Sequence, residues 1–169
     1  MSQFSASYQG VCMDTSEKQA LLDLETLLKE PIPGVSLIDS FKFGFIAIKN
    51  HVARLGVPQR GLVMLPDSLC NLTSLQELAL FSNRLTTLPD AFGNLTSLRF
   101  LNLVQNNLMT LPPSFSKLAS LQILYLNENQ LTLSSRKYLC MIPDKLQKIE
   151  PPSNAPFKFS ILCKFIKLS

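Results

Sequence analysis

Leucines and phenylalanines recur along the middle of the chain with a period of 23 residues. Within each period the pattern x-Leu-x-Leu-x alternates, as expected for a short strand with one buried face. A proline that cannot donate to a strand ladder then marks a turn to the opposite side of the coil. The three best copies are Leu78-x-Leu80-x-x-Asn83-x-Leu85, Leu101-x-Leu103-x-x-Asn106-x-Leu108 and Leu124-x-Leu126-x-x-Asn129-x-Leu131. A fixed period in the twenties predicts stacked units that share one core.

One asparagine stands at the same place in every copy: Asn83, Asn106 and Asn129. A coil that turns away from its strand leaves backbone N–H and C=O groups that its stacked neighbours cannot fully pair. An asparagine side chain carries both a donor and an acceptor, so it can bridge such groups. The spacing therefore predicts a structural asparagine ladder along the stack.

The whole frame resembles the leucine-rich repeat family, in its cytosolic LPxxLxxLxxLxxLxLxxN variety, over residues 62 to 131. The resemblance implies an α/β fold: a right-handed solenoid, or short horseshoe, with a parallel sheet on its concave side. Proteins of this variety act as scaffolds and regulators, so the resemblance also implies a protein-protein interaction module. We expect the repeats to occupy residues 62–133.

The first 61 residues are expected to close the N-terminal end of the stack. Ser16-Glu17 followed by apolar residues at helical spacing predicts an amphipathic helix that ends before Pro31. Residues 43–48 and 51–55 predict a hairpin that turns at Lys49-Asn50, with a degenerate first repeat strand in which Arg60 replaces the asparagine. This helix and hairpin resemble the N-terminal cap of short intracellular leucine-rich repeat proteins, some of them archaeal.

The last segment, residues 134–169, departs from the repeat frame. It carries seven basic and two acidic residues. The positive net charge of the protein, +4, therefore comes entirely from this segment. One interpretation is a cap, in which Tyr138 and terminal apolar residues cover the open edge of the last repeat. A second is a membrane-surface or acidic-ligand adaptor, using Lys158, Lys164 and Lys167 with the interleaved phenylalanines. A third is the poorly ordered tail of a shortened relative.

Residues that flank the two strand leucines should point to the concave face. Neighbouring strands lie about 4.8 Å apart, so equivalent residues form continuous columns. Five of them, Phe81, Phe100, Val104, Ile123 and Tyr125, predict an apolar and aromatic patch of the kind that marks contact sites. The predicted partner-binding residues are Glu77, Ala79, Phe81, Ser82, Phe100, Asn102, Val104, Gln105, Ile123, Tyr125, Asn127 and Glu128.

The charges, the apolar runs and the cysteines of the chain limit the function classes and the cellular location that we expect. The repeat region has three basic and four acidic residues, which argues against nucleic-acid binding by the concave face. The sequence has no leader-like start and no long apolar run, and its four scattered cysteines predict reduced thiols without disulfides. These features favour a cytoplasmic protein, and the Asn-Leu-Thr sequons at Asn71 and Asn94 belong to the repeat consensus.

Candidate chemistry is sparse. His51, the single histidine, is interpreted as a solvated residue at a strand end. Cys70 occupies the small-residue position also held by Gly93 and Ser116, with no neighbouring base to activate it. The sequence offers no phosphate-binding loop, cofactor motif or metal-ligand spacing. It therefore predicts a binding protein rather than an enzyme, with no cofactor or metal.

Overall fold

The computed structural model describes residues 4–36, 42–132, 138 and 148–150. These residues form a two-stranded N-terminal sheet, one α-helix and a six-stranded sheet that runs through the repeats. In the six-stranded sheet the strands follow one another in chain order. Each repeat therefore contacts chiefly the repeat before it and the repeat after it, as in a solenoid.

The chain opens with a hairpin that the sequence analysis missed. Strand β1 (Phe4–Tyr8) pairs with antiparallel strand β2 (Val11–Asp14). The two-residue turn between them has positive φ at Gln9 (48°) and Gly10 (81°), which suits the right-handed twist of a hairpin. The turn was overlooked because glutamine is not a typical residue for such a conformation.

The predicted helix is present as α1 (Thr15–Leu28). It begins at Asp14, whose side chain accepts a hydrogen bond of 2.7 Å from the Ser16 backbone N–H, and ends where Lys29 turns left-handed at φ 60°. Its buried face contains Ala20, Leu21 and Leu24. The helix packs mainly against β1, β2 and the 3-10 helix at Asp67–Asn71, the first in the repeats.

The predicted second hairpin is also present, as β3 (Gly44–Ile48) and β4 (His51–Gly56). Lys49 and Asn50 both have positive φ, as a two-residue hairpin turn requires. Strand β4 then pairs in parallel with β5, with Leu55 opposite Leu78, so it is the first strand of the repeat sheet. Residues from the degenerate first repeat thus extend the sheet toward the N terminus.

The repeats supply three further parallel strands: β5 (Glu77–Ala79), β6 (Phe100–Asn102) and β7 (Ile123–Tyr125). The opposite, convex side carries three 3-10 helices, at Asp67–Asn71, Phe92–Asn94 and Pro113–Lys117. The carbonyl groups of Pro66, Pro89 and Pro112 accept the first backbone bonds of these turns. Proline therefore marks the change of direction that the sequence predicted.

The space between sheet and 3-10 helices is filled by the repeated leucines. The strand leucines Leu78, Leu101 and Leu124 are fully buried. The leucines three residues before them, Leu75, Leu98 and Leu121, are also fully buried. Phe92 and Phe115 take the place of Leu69 in later repeats and stack with their ring centroids 6.0 Å apart. One continuous apolar core therefore links all the repeats to the N-terminal segments.

A final strand, β8 (Lys148–Glu150), extends the sheet beyond the last recognisable repeat. It pairs in parallel with β7 and places Ile149 opposite Leu124. No strand is predicted there from the sequence, because Ile149 does not follow Leu124 by the repeat period and no Leu-x-Leu frame surrounds it. The edge of β7 is thus paired by these residues, and the terminal apolar residues of the cap interpretation lie outside the described part.

Candidate functional site

The outer face of the parallel sheet, here called the concave face, contains the predicted columns. Strand register places Glu77, Phe100 and Ile123 in one row and Ala79, Asn102 and Tyr125 in the next. Backbone bonds beyond the strands continue the register, from Ser82 N to Val104 O and from Gln105 N to Asn127 O. The period of the sequence is therefore preserved in space across the three repeats.

Most residues of these columns are neither buried nor fully exposed. Phe81, Phe100, Val104, Ile123 and Tyr125, here called the aromatic patch, are all half-buried. The rings of Phe100 and Tyr125 meet edge to face, 5.8 Å between centroids and 74° between planes. Gln105 and Glu128 are exposed, whereas Ala79 is buried with 4% of its surface exposed, so its side chain offers little area to a partner.

Polar groups border the aromatic patch on two sides. Arg54 and Glu77, on neighbouring strands, form an ion pair of 3.3 Å that is more than a third exposed. A pair so accessible to water contributes little to stability. At the other side, Ser82, Gln105 and Glu128 form a row of side-chain hydrogen bonds.

This row coincides with a repeated backbone feature that the sequence analysis missed. Gln59, Ser82, Gln105 and Glu128 all adopt left-handed φ values of 55° to 57°. Each one immediately precedes the asparagine position, so the backbone reverses there and leaves the strand. None of the four is glycine or asparagine, the residues that usually reveal such a conformation.

The three asparagines are buried and bridge adjacent coils. The Asn106 side chain accepts from the Leu85 backbone N–H at 3.1 Å and donates to the carbonyls of Leu80 at 3.0 Å and Leu103 at 3.1 Å. Asn83 and Asn129 repeat this arrangement one coil before and one coil after. Each asparagine thus pairs groups of two successive coils at once.

Arg60 occupies the asparagine position of the degenerate repeat but points away from the ladder. Its Nε lies 2.7 Å from Glu30 Oε1, and its guanidinium stacks 4.3 Å from the ring centroid of Phe43. Its backbone N–H is bonded instead by Asn83 of the following coil, at 3.0 Å. Arg60 therefore connects the first coil to Glu30, just after α1, and to Phe43, just before β3.

His51 lies at the start of β4 with 40% of its side chain exposed, in agreement with the predicted solvated residue at a strand end, and it also contacts a buried carboxylate. Its Nδ1 lies 3.2 Å from Oε1 of Glu17, a carboxylate only 3% exposed that also accepts from the Val52 backbone N–H at 3.0 Å. The sequence did not predict this contact, because it forms between residues distant in the chain where α1 folds back onto the start of β4. These side chains line an open cleft of about 1020 Å³, whose other walls include Asp14, Asn71 and Thr73.

Cys70 is buried on the convex side, where desolvation, aided by the nearby Asp67 charge, raises the pKa of its thiol to about 11. At neutral pH this thiol is protonated and therefore a weak nucleophile. Cys12, which is exposed, and Cys70 are both free thiols. Among the described residues, no group of three or more His, Cys, Asp or Glu side chains is arranged to hold a metal ion.

The basic tail predicted as a membrane-surface or acidic-ligand adaptor lies outside the described residues, including Lys158, Lys164 and Lys167. Within the described part of the chain, no helix combines the length and apolar character that crossing a bilayer requires.

The comparisons with known proteins agree with the coil geometry. Residues 50–108 match a family model described as leucine rich repeat. No curated protein gave a significant match to the chain. Similar solved structures include two that each contain leucine-rich repeats.

One is a leucine-rich repeat protein of Leptospira interrogans, 30% identical, with a TM-score of 0.54 over 58% of this chain and 25% of that one. The chain thus spans a quarter of the Leptospira protein's length. The other is the leucine-rich repeat ectodomain of the receptor kinase SOBIR1 from Arabidopsis thaliana, 27% identical, with a TM-score of 0.57 over 77% of each chain. The family match over residues 50–108, these neighbours and the stacked asparagine coils show that the chain contains leucine-rich repeats.

Proposed function

We propose that this protein binds a protein partner through its concave face. The observation that carries the proposal is the aromatic patch: five apolar side chains, half-buried, on a sheet face whose other members are mainly polar. Partly accessible aromatic residues at a sheet surface are frequent anchors of protein interfaces. Leucine-rich repeats serve in general as binding scaffolds, in keeping with the family match and the receptor ectodomain among the similar structures.

The position of α1 supports this choice of surface. The helix packs mainly on the N-terminal hairpin and the first 3-10 helix, where Ser68 Oγ donates to Asp23 at 2.6 Å. It therefore lies toward the convex side and does not cover β5, β6 and β7. This packing disfavours an arrangement in which α1 folds across the aromatic patch.

Replacing both Phe81 and Phe100 by serine is expected to abolish capture of the partner. The two rings are half-buried, so their loss removes interface area while most of the leucine core is untouched. Affinity capture followed by mass spectrometry would compare the double variant with wild type, and circular dichroism would verify folding.

A matched control is available in Val63 and Met64, which are 56% and 58% exposed and lie outside the concave columns. Changing both to serine removes exposed apolar surface from another part of the repeats. Partners specific to the concave face should survive this control and disappear with the phenylalanine variant. Identical capture by all three proteins would refute the site.

The proposal includes the cytoplasmic location and reduced thiols predicted from the sequence. Its test uses the two sequons, in which Asn71, Thr73, Asn94 and Thr96 are all exposed. A chain that entered the secretory pathway would offer these asparagines to the glycosylation machinery. When the chain is expressed in mammalian cells, we therefore expect no change in its gel mobility after endoglycosidase treatment. A mobility shift would place it in the secretory pathway, and loss of that shift in Asn71→Gln and Asn94→Gln variants would identify the attachment sites.

A further inference from the structure

The polar row beside the aromatic patch is a hydrogen-bond chain with one direction. The Ser82 hydroxyl donates to Gln105 Oε1 at 2.6 Å, and Gln105 Nε2 donates to Glu128 Oε2 at 2.9 Å. The first bond fixes which end of the Gln105 amide faces Glu128, because the amide oxygen is already engaged as an acceptor. The row thus ends on a carboxylate that is held by one of its two oxygens.

Glu128 is exposed, and no Lys, Arg or His of the described residues lies within ion-pair distance of it. Its Oε1 accepts no hydrogen bond from the described part of the chain. Elsewhere on the concave face, Arg54 and Glu77 neutralise each other at 3.3 Å. Among the described residues of these columns, Glu128 therefore supplies the uncompensated charge, and its sign is negative.

Glu128 is also close in sequence to the aromatic patch. It follows Tyr125 by three residues, which corresponds to about 10 Å along an extended chain. Tyr125 in turn meets Phe100 edge to face. The Phe100–Tyr125 pair and the carboxylate of Glu128 are therefore separated by a distance that a few residues of a bound peptide can span.

We propose that the concave face recognises a linear peptide segment that carries an apolar side chain and, within about three residues of it, a lysine or arginine. The apolar side chain packs on the Phe100–Tyr125 pair, and the cation pairs with Oε1 of Glu128. Ser82 and Gln105 act as positioning residues, because they limit the rotamers of the carboxylate. This inference rests on the proposed function, since it assigns the partner's chemistry at the same surface.

The test is a selection of short linear peptides displayed on phage against the full chain and three variants. Wild type should enrich peptides in which a basic residue lies near an aliphatic or aromatic one. Glu128→Lys should enrich acidic residues at that place instead, because the charge of the receptor is reversed. Asp90→Lys, an equal charge change at an exposed convex turn, should select the same peptides as wild type. The Phe100→Ser variant should enrich none of the peptides that wild type selects.

Affinities of one enriched peptide, measured by fluorescence polarisation, give the magnitude. Glu128→Gln should weaken binding about threefold to fivefold, as expected for an exposed ion pair. Gln105→Ala should weaken it less, and raising the salt concentration should reduce the difference between wild type and Glu128→Gln. Melting curves of each variant would verify that the repeats are intact.

The outcomes separate the two proposals. Peptides that require Phe100 but show no basic residue, or an unchanged selection by Glu128→Lys, would overturn the inference and leave concave binding in place. No enrichment by wild type would also overturn the inference alone, because a folded partner could still need Phe81 and Phe100 in the capture experiment. Peptides that survive Phe100→Ser, together with capture that survives the double phenylalanine variant, would overturn both.

Discussion

Replacing Gly93 by alanine is expected to lower the free energy of unfolding by about 3 kcal/mol, at the upper end of typical overpacking effects. A Cβ added at Gly93 would lie 2.1 Å from the carbonyl oxygen of Ser114 and 2.8 Å from its carbonyl carbon. These atoms belong to the backbone of the next coil, so a side-chain rotation cannot relieve the clash. The two coils would have to separate, which would disturb the stacked pair of Phe92 and Phe115 beside them.

Chemical denaturation followed by circular dichroism would measure this loss as a lower midpoint. Ser116→Ala is the matched control, because Ser116 holds the equivalent position one repeat later and is half-buried. Its hydroxyl bonds the Pro113 carbonyl within the same turn, at 2.8 Å, so its removal should cost less than about 1 kcal/mol. A Gly93→Ala protein as stable as wild type would mean that the coils do not approach so closely.

Replacing Asn106 by alanine is expected to cost about 2–3 kcal/mol, because it leaves buried backbone groups without partners. The groups affected are the N–H of Leu85 and the carbonyls of Leu80 and Leu103. The asparagine is 2% exposed, so water has little access to replace these bonds. Asn106→Asp should also destabilise, since a carboxylate accepts from Leu85 but cannot donate to either carbonyl.

The neighbouring Asn107 provides the control, because it has the same side chain and is exposed. Asn107→Ala should change stability by no more than about 0.5 kcal/mol. Equal losses for Asn106→Ala and Asn107→Ala in urea denaturation would contradict the inward orientation of the ladder.

The sequence predicted which residues share a column of the candidate site, but not which of their side chains bond to one another. The 23-residue period placed Phe100 and Ile123 in one column, and the strand register agrees. A period cannot reveal which side chains bond across columns, because that depends on rotamers and on distances between separate coils. The pairing of Arg54 with Glu77 and the chain that ends on Glu128 therefore emerged only from the structure.

The ends of the stack show the same limit. Helix α1 and the β3–β4 hairpin were predicted, since local spacing and turn residues specify them. The β1–β2 hairpin and strand β8 were not, because neither has a distinctive local pattern and β8 falls outside the repeat period. Their strands are stabilised by pairing with a neighbour, and such partners are not visible in a linear sequence.

By itself, the sequence determined the leucine-rich repeat architecture, the buried spine and the asparagine ladder. Each of these follows from a short pattern repeated at one period, and repetition makes local preferences cooperate along the stack. Only the tertiary structure showed strands β1, β2 and β8 at the ends of the stack and the close approach of two coils that requires a small residue at Gly93. It also showed that Glu128 on the concave face has no counter-ion among the described residues. Those features arise where residues from different coils or segments meet, so their energies depend on distances in space that no spacing along the chain specifies.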